Sequence, residues 1–155
     1  MRLQKAQKLA KQIVEQIHPH CERIEIAGSI RRRKQECRDV DVVLIPKSFL
    51  WPRIIATLQR TMDAEVIKRG ESIAQLTIKG VNVDLYVASP ETYEALILIR
   101  TGSAEHNIKL SMLAQKKGLK LTHKGLTRGD VVIARTEREI FESLDLPYKN
   151  PEERG

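Results

Sequence analysis

The chain has 155 residues, and its apolar content of 41% is enough to bury one compact core or two small lobes that share one. Its 27 Lys and Arg side chains outnumber 20 Asp and Glu side chains, and the net charge of +7 favours a polyanionic partner, although a solvated basic surface would give the same charge. Two cysteines exclude a disulfide framework or a zinc finger, and no apolar run approaches the ~18 residues of a membrane span.

The first part of the chain predicts a helix followed by alternating strands and one further helix. Apolar residues recur at helical spacing from Leu3 to Ile17, and the helix is expected to end near His18-Pro19. Ser48 is the expected N-cap of a second helix that runs to about Met62. Strands are predicted at 23–27, 40–45, 64–68, 73–78 and 81–87.

The remainder predicts three helices and a small hairpin. Ser89-Pro90-Glu91 has the N-cap, proline and acidic residue that are typical of a helix start, which predicts a helix over 90–100. Ser103 is expected to cap the next helix, which ends at Gly118. A hairpin over 119–134 and a last helix from Thr136 follow, and residues 151–155 are predicted to form a loosely held tail.

One stretch, residues 27–44, concentrates charged residues around a turn and a strand. Gly28-Ser29 leaves an apolar strand in a turn whose backbone N–H groups can approach an anion, because glycine has no Cβ. Arg31 and Arg32 add planar guanidinium groups suited to phosphate oxygens. Asp39 and Asp41 lie two apart in a strand, so both carboxylates project from one face, roughly 6.5–7 Å apart at Cα. A phosphate site beside paired carboxylates is typical of a metal-assisted reaction on a nucleotide.

Strand alternation adds a third carboxylate to this pair. Burial of Val83 and Leu85 turns Asp84 to the opposite face of its strand, where it can meet Asp39 and Asp41 on a shared sheet. Three carboxylates on one face repel one another unless a cation holds them, so Mg²⁺ explains them more simply than a solvated acidic strand does.

The order of these motifs resembles the nucleotidyltransferase palm of family X DNA polymerases. The motifs are GSIRR, then DVD seven residues after its last Arg, then Asp84 in VNVDLYV. TGSAEHN, residues 101–107, resembles that family's palm-to-thumb junction, and LDLPYKNPEERG resembles its C-terminal end. The likeness covers about residues 5–154 and is closest in style to bacterial and archaeal members.

This resemblance implies an α+β fold in a minimal palm-plus-thumb form. A mixed, largely antiparallel palm sheet with helices on one face would occupy residues 1–89. A thumb of helices and a short hairpin would occupy residues 90–155. The resemblance also implies two Mg²⁺ ions, for which Mn²⁺ can substitute, held ~3.5–4 Å apart by the three aspartates. Asp39 and Asp41 would bridge both ions, and Asp84 would bind the first and help to remove the proton from a primer 3′-hydroxyl.

The resemblance further assigns nucleotide and DNA contacts. It places the triphosphate on Gly28, Ser29 and Arg32. Arg31 flanks these residues and is expected to be structural or to lie just outside the triphosphate contacts. The residues that it places beside the incoming sugar and base are Thr101, Gly102, Ser103 and Asn107. The lysines expected to contact the DNA backbone are Lys109, Lys116, Lys117 and Lys120. A solvated helix face that binds no DNA would have the same composition.

Several positions depart from the family pattern. Arg38 stands where a glycine often precedes the first Asp. Ile99 and Arg100 precede Thr101, where the family often has an aromatic residue just before the threonine, and this bears on sugar selection. Ser111 stands where relatives carry an arginine that contacts the template, and this bears on base-pair fidelity.

The resulting hypothesis is a monomeric DNA-directed DNA polymerase that adds deoxynucleotides to a primer 3′ end, filling short gaps in repair with low fidelity. The alternatives are a nucleotidyltransferase acting on RNA or another acceptor, and a non-catalytic DNA-binding module. The positive charge argues against a small acceptor, and three intact carboxylates argue against loss of catalysis. The N-terminus lacks the apolar segment of a signal peptide, so a cytoplasmic location is expected, with association with a virion left open.

Overall fold

A five-stranded sheet carries the three aspartates in the computed structural model, which describes residues 1–155. Its strands are β1 (Cys21–Ile26), β2 (Asp39–Pro46), β3 (Glu65–Arg69), β4 (Ile73–Ile78) and β5 (Val81–Val87). The order across the sheet is β1-β2-β5-β4-β3. Every neighbouring pair is antiparallel except β2 and β5, which run parallel. The sheet is therefore mixed and largely antiparallel, as the sequence indicated.

The parallel pair brings the aspartates onto one face. Val40 and Val42 of β2 and Val83 and Leu85 of β5 are fully buried, so the intervening residues of both strands point to the opposite side. In the register of the two strands, Asp41 lies directly opposite Asp84. Strand alternation predicted that the three aspartates share one face of the sheet. The pairing of β2 with β5 is what brings them close together.

Two helices cover the face opposite to the aspartates. They are α1 (Leu3–Ile17) and α3 (Trp51–Met62), and their apolar side chains share one buried cluster with β2, β4 and β5. The prediction that Ser48 caps α3 is wrong, because the helix begins three residues later, after Leu50. Phe49 has a φ of 64°, and the amide of Leu50 bonds to the carbonyl of Lys47, so a turn occupies these residues instead. None of the helices is both long and apolar enough to cross a membrane.

The aspartate face is partly covered by α2 (Gly28–Arg31) and α4 (Tyr93–Thr101). Leu96 and Ile97 of α4 pack in a buried cluster that includes Val43 of β2. The prediction that α4 begins at Ser89-Pro90 is wrong. The amide of Ser89 donates to Oγ1 of Thr92 at 3.0 Å, and the helix begins only after the resulting turn.

The C-terminal lobe has its own core and a second small sheet. Its remaining elements are α5 (Ala104–Lys116), β6 (Lys120–Thr122), β7 (Gly125–Arg128), β8 (Val131–Ala134) and α6 (Glu137–Ser143). The predicted hairpin is a three-stranded sheet in the order β6-β7-β8. The predicted cap of α5 is confirmed, because Oγ of Ser103 accepts the amide of His106 at 3.2 Å. The last helix starts where predicted, and Thr136 forms a capping box with Glu139.

The prediction of a loosely held C-terminal tail is wrong. The side chain of Arg154 is fully buried, and its Nη1 donates to Oε2 of Glu137 at 2.6 Å. Its Nε and Nη2 donate to the carbonyl of Lys149, and its own carbonyl accepts the amide of Ser103 at 3.1 Å. The tail is therefore anchored to α6 and to the junction between α4 and α5.

Candidate active site

A cavity of about 480 Å³ lies where β2 meets the junction of α4 and α5. The sequence-predicted site residues that line it are Gly28, Ser29, Arg32, Asp39, Asp41, Gly102, Ser103 and Asn107. Few of its lining residues are hydrophobic, and they come from both lobes of the chain. The cavity thus brings together most of the residues predicted to bind metal and nucleotide.

Asp84 does not line this cavity. Asp39 also lines a neighbouring cavity of about 320 Å³, which it shares with Asp84. No three acidic, histidine or cysteine side chains are arranged to hold one metal ion. Proteins usually bind Mg²⁺ through one or two carboxylates together with substrate phosphates, and the pair Asp39 and Asp41 meets that requirement.

Two of the three carboxylates have raised pKa values. Burial, followed by the charges of Asp84 and Asp39, raises the pKa of Asp41 to about 6. Burial and the charge of Asp39 likewise raise the pKa of Asp84. None of the three forms a salt bridge with a basic side chain. The donor set therefore fits a divalent cation, which would offset this repulsion.

Asp41→Asn is expected to raise the melting temperature of the protein in EDTA at about pH 8, because it removes a charge that is buried and lies beside two like charges. The pKa of Asp41 in the folded protein, about 6, lies above its ordinary value of 3.8. The folded state is therefore favoured by protonation, and that stability is lost as the pH rises through about 6. The gain from the variant should be largest above that pH and vanish near pH 4. Calorimetry at several pH values measures it, with the exposed Asp130→Asn as the control, and an equal gain at pH 4 would contradict the assignment.

Gly28 allows α2 to begin directly against Asp41. Its φ is +63°, and a Cβ at this position would collide with the carboxylate of Asp41. The amide of Ala27 also bonds to the carbonyl of Asp41 at 2.8 Å. Only glycine satisfies both the backbone conformation and this close approach.

The two arginines of the GSIRR motif differ in role. Arg31 donates to both carboxylate oxygens of Glu137, at 3.0 and 2.8 Å, and to Oγ1 of Thr101 at 2.9 Å. Arg32 donates through Nη1 to the carbonyl of Thr101 at 2.6 Å, while its buried Nε has no partner. Arg31 therefore joins the two lobes. Of these two arginines, Arg32 is the one that lines the cavity.

Of the residues at the junction of α4 and α5, some line the cavity and one is buried behind it. Thr101 is fully buried and holds the two arginines, whereas Gly102 and Ser103, joined by a cis peptide bond, line the cavity. Nδ2 of Asn107 donates to the carbonyl of Ile99 at 2.8 Å, and its Oδ1 is buried without a partner. Asn107 therefore retains a hydrogen-bond acceptor at the cavity.

The predicted DNA-binding lysines lie outside the cavity. Lys109, Lys116, Lys117 and Lys120 are all exposed. Lys117 forms a salt bridge with Asp145, whereas the adjacent Lys116 has no salt-bridge partner. Tyr86 lines the cavity together with Arg100, although sequence reasoning gave Tyr86 no role.

Comparison with known proteins reveals relatives that cover most of the chain. Residues 96–155 match the family model described as DNA polymerase beta thumb. DNA polymerase lambda of Rattus norvegicus is 28% identical, over 82% of this chain and 28% of its own length. Repair DNA polymerase X of African swine fever virus is 27% identical, over 84% of this chain and 80% of its own length.

A solved structure has the same fold. The ternary P/T complex of Leishmania infantum polymerase beta superposes with a TM-score of 0.86 at 20% identity, covering 100% of this chain and 76% of that one. The α+β fold and the resemblance to family X DNA polymerases are therefore confirmed. The chain spans 28% of the length of the rat polymerase and most of the length of the viral one.

Proposed function

We propose that this chain is the catalytic part of a family X DNA polymerase, with a palm in residues 1–89 and a thumb in residues 90–155. The observation that carries this proposal is the cavity that Asp39 and Asp41 share with Arg32 and Asn107. Carboxylates suit cations, a guanidinium suits phosphate oxygens, and the unpaired acceptor of Asn107 suits a base edge. A deoxynucleoside triphosphate in complex with a divalent cation presents all three complementary groups.

In this proposal Asp39 and Asp41, with Asp84 opposite Asp41 on the neighbouring strand, would hold two Mg²⁺ ions, for which Mn²⁺ can substitute. When bound, Mg²⁺ would lower the pKa of a primer 3′-hydroxyl and offset the charge of the triphosphate. Asp84 takes up the proton that leaves the 3′-hydroxyl, whose oxygen then bonds to the α-phosphorus as pyrophosphate departs. Gly28, Ser29 and Arg32 hold the triphosphate in the orientation that this displacement requires.

The residues of the junction would select the nucleotide. Gly102 and Ser103 would border its sugar, and Asn107 would contact the minor-groove edge of its base. Thr101 contributes indirectly, because its carbonyl fixes Arg32. The primer–template duplex would lie along the lysines of the thumb, and the protein would act as a monomer in the repair of short gaps.

Incubation of the purified protein with labelled gapped DNA, Mg²⁺ and each nucleotide tests the proposal. The expected result is extension of the primer by the complementary deoxynucleotide and none in EDTA. Preferred extension of an RNA primer would favour a nucleotidyltransferase with another acceptor. Tight DNA binding without extension, in Mg²⁺ or Mn²⁺, would favour a non-catalytic DNA-binding module.

The salt dependence of DNA binding tests the thumb surface. Each phosphate neutralised by a lysine contributes a slope of about −0.9 in log K against log salt. The double variant Lys116→Gln, Lys117→Gln is therefore expected to flatten the slope without changing which nucleotide is inserted. Fluorescence anisotropy with gapped DNA measures the slope. The matched control is Lys8→Gln, Lys11→Gln on α1, and flattening by the control alone would place the DNA on that helix.

Low fidelity is expected because Ser111 is too short to reach a template base. It lies one turn after Asn107 on α5 and is exposed. Each contact that senses the correct base pair is worth about 1–3 kcal/mol of discrimination. Ser111→Arg should therefore raise selectivity by roughly 5- to 150-fold.

Steady-state insertion of all four nucleotides opposite each template base measures this selectivity. Gln115→Arg, which adds the same charge one turn further along α5, is the control. No gain from Ser111→Arg would contradict the prediction, as would wild-type discrimination above about 10⁴ at every mispair.

A further inference from the structure

An arginine stacks on a tyrosine inside the candidate active site. Each tyrosine of the chain has such a partner: Arg23 over Tyr93 at 4.0 Å, Arg138 over Tyr148 at 4.3 Å and Arg100 over Tyr86 at 4.2 Å. Arg100 and Tyr86 are the one stacked pair that lines the cavity containing Asp39 and Asp41. The other two stacked pairs therefore lie away from the candidate active site, and only this pair can act on it.

The stack joins the two lobes beside the aspartates. Tyr86 follows Asp84 by two positions on β5 and so shares its face of the sheet, whereas Arg100 comes from the end of α4. The same pair also lines a second cavity of about 500 Å³, together with Ser72 and His123. Arg100 and Tyr86 thus form the wall between the candidate active site and a second cavity.

Arg100 is one of the cations at this cavity that are free to move. Its exposed guanidinium forms no hydrogen bond or salt bridge and is held by the tyrosine ring alone. Of the two arginines whose charge acts on Asp41, the other, Arg32, is fixed by the carbonyl of Thr101 at 2.6 Å. The positive charge of Arg100 acts to lower the pKa of Asp41 and of Asp84, against the larger effects that raise both. An exposed stack of this kind is a weak contact and is easily broken.

We propose that Arg100 is a positioning residue that serves as the counter-cation of the aspartates and withdraws when a divalent cation binds. The inference rests on the proposed function, in which the aspartates hold the cations. A guanidinium near the carboxylates and a divalent ion among them repel each other, so the two compete for the same negative charge. Tyr86 keeps Arg100 beside the carboxylates without a hydrogen bond that would have to be broken.

Titration of the full chain with Mn²⁺, with free ion measured by electron paramagnetic resonance, tests this inference. Arg100→Leu should tighten binding roughly three- to tenfold, while Arg100→Lys, which keeps the charge, should stay within about twofold of wild type. Arg138→Leu is the matched control, since it removes an arginine stacked on a tyrosine away from the carboxylates. Asp41→Asn identifies which bound ions belong to this site.

The outcomes separate this inference from the proposed function. Unchanged or weaker Mn²⁺ binding by Arg100→Leu would overturn the role of Arg100, as would equal tightening by Arg100→Lys or by Arg138→Leu. If the wild type bound no Mn²⁺ even with a non-hydrolysable deoxynucleoside triphosphate present, or if Asp41→Asn bound it equally well, the metal site itself would be wrong and the proposed function would fail with it. Circular dichroism melting confirms that each variant is folded.

Discussion

Asp41→Asn or Asp84→Asn is expected to lower turnover by roughly 10²-fold or more while leaving the fold nearly intact. Either change keeps the shape of the side chain but removes one of three charges that face one another across β2 and β5. Both side chains lie on the cavity face of the sheet, away from the buried cluster under α1 and α3. Turnover should therefore fall because the cation is no longer held in position, and the packing of the core should be unaffected.

Single-nucleotide insertion on gapped DNA, measured at saturating nucleotide, gives the turnover of each variant. Asp130→Asn makes the same chemical change at an exposed turn and is expected to retain wild-type turnover. Circular dichroism spectra of the variants should match that of the wild type. Near-full activity in either variant would mean that the aspartates do not carry the reaction.

Glu137→Ala is expected to lower the free energy of unfolding by about 3–5 kcal/mol, because it leaves two arginines without their counter-charge. Glu137 accepts hydrogen bonds from Arg31 at 2.8 and 3.0 Å and from Arg154 at 2.6 Å. The side chain of Arg154 is 0% exposed and that of Arg31 is 18% exposed, so solvent cannot replace the lost carboxylate. These contacts join α2, α6 and the C-terminal tail.

Urea unfolding followed by circular dichroism measures this loss. Glu142→Ala removes an exposed carboxylate from the same helix and should change the free energy of unfolding by less than about 0.5 kcal/mol. A second variant, Glu137→Gln, keeps the shape and should destabilise less than Glu137→Ala. A loss below about 1 kcal/mol in Glu137→Ala would show that the buried arginines do not depend on this residue.

The aspartate face could be predicted from the sequence because strand alternation has a fixed period. Burial of Val83 and Leu85 was enough to turn Asp84 to the face of Asp39 and Asp41, and the structure buries both apolar residues completely. The pairing of β2 with β5 has no signature within either strand, so alternation alone did not predict it.

Contacts between distant parts of the chain could not be predicted in this way. Arg154 forms its ion pair with a residue 17 positions away and holds Ser103, which is 51 positions away, and neither contact follows a periodic pattern. Arg100 was visible as a departure from the family pattern, but its stacking on Tyr86 depends on where α4 crosses β5. The start of α4 was misplaced because Ser89 and Thr92 bond to each other in a turn that precedes the helix.

The location of bound cations tests the account most directly. A crystal of the protein with gapped DNA, a non-hydrolysable deoxynucleoside triphosphate and Mn²⁺ would show each ion by its anomalous scattering. The account predicts anomalous peaks among the carboxylate oxygens of Asp39, Asp41 and Asp84, with the triphosphate beside Ser29 and Arg32. Peaks confined to other parts of the molecule, or a triphosphate bound away from these aspartates, would contradict it.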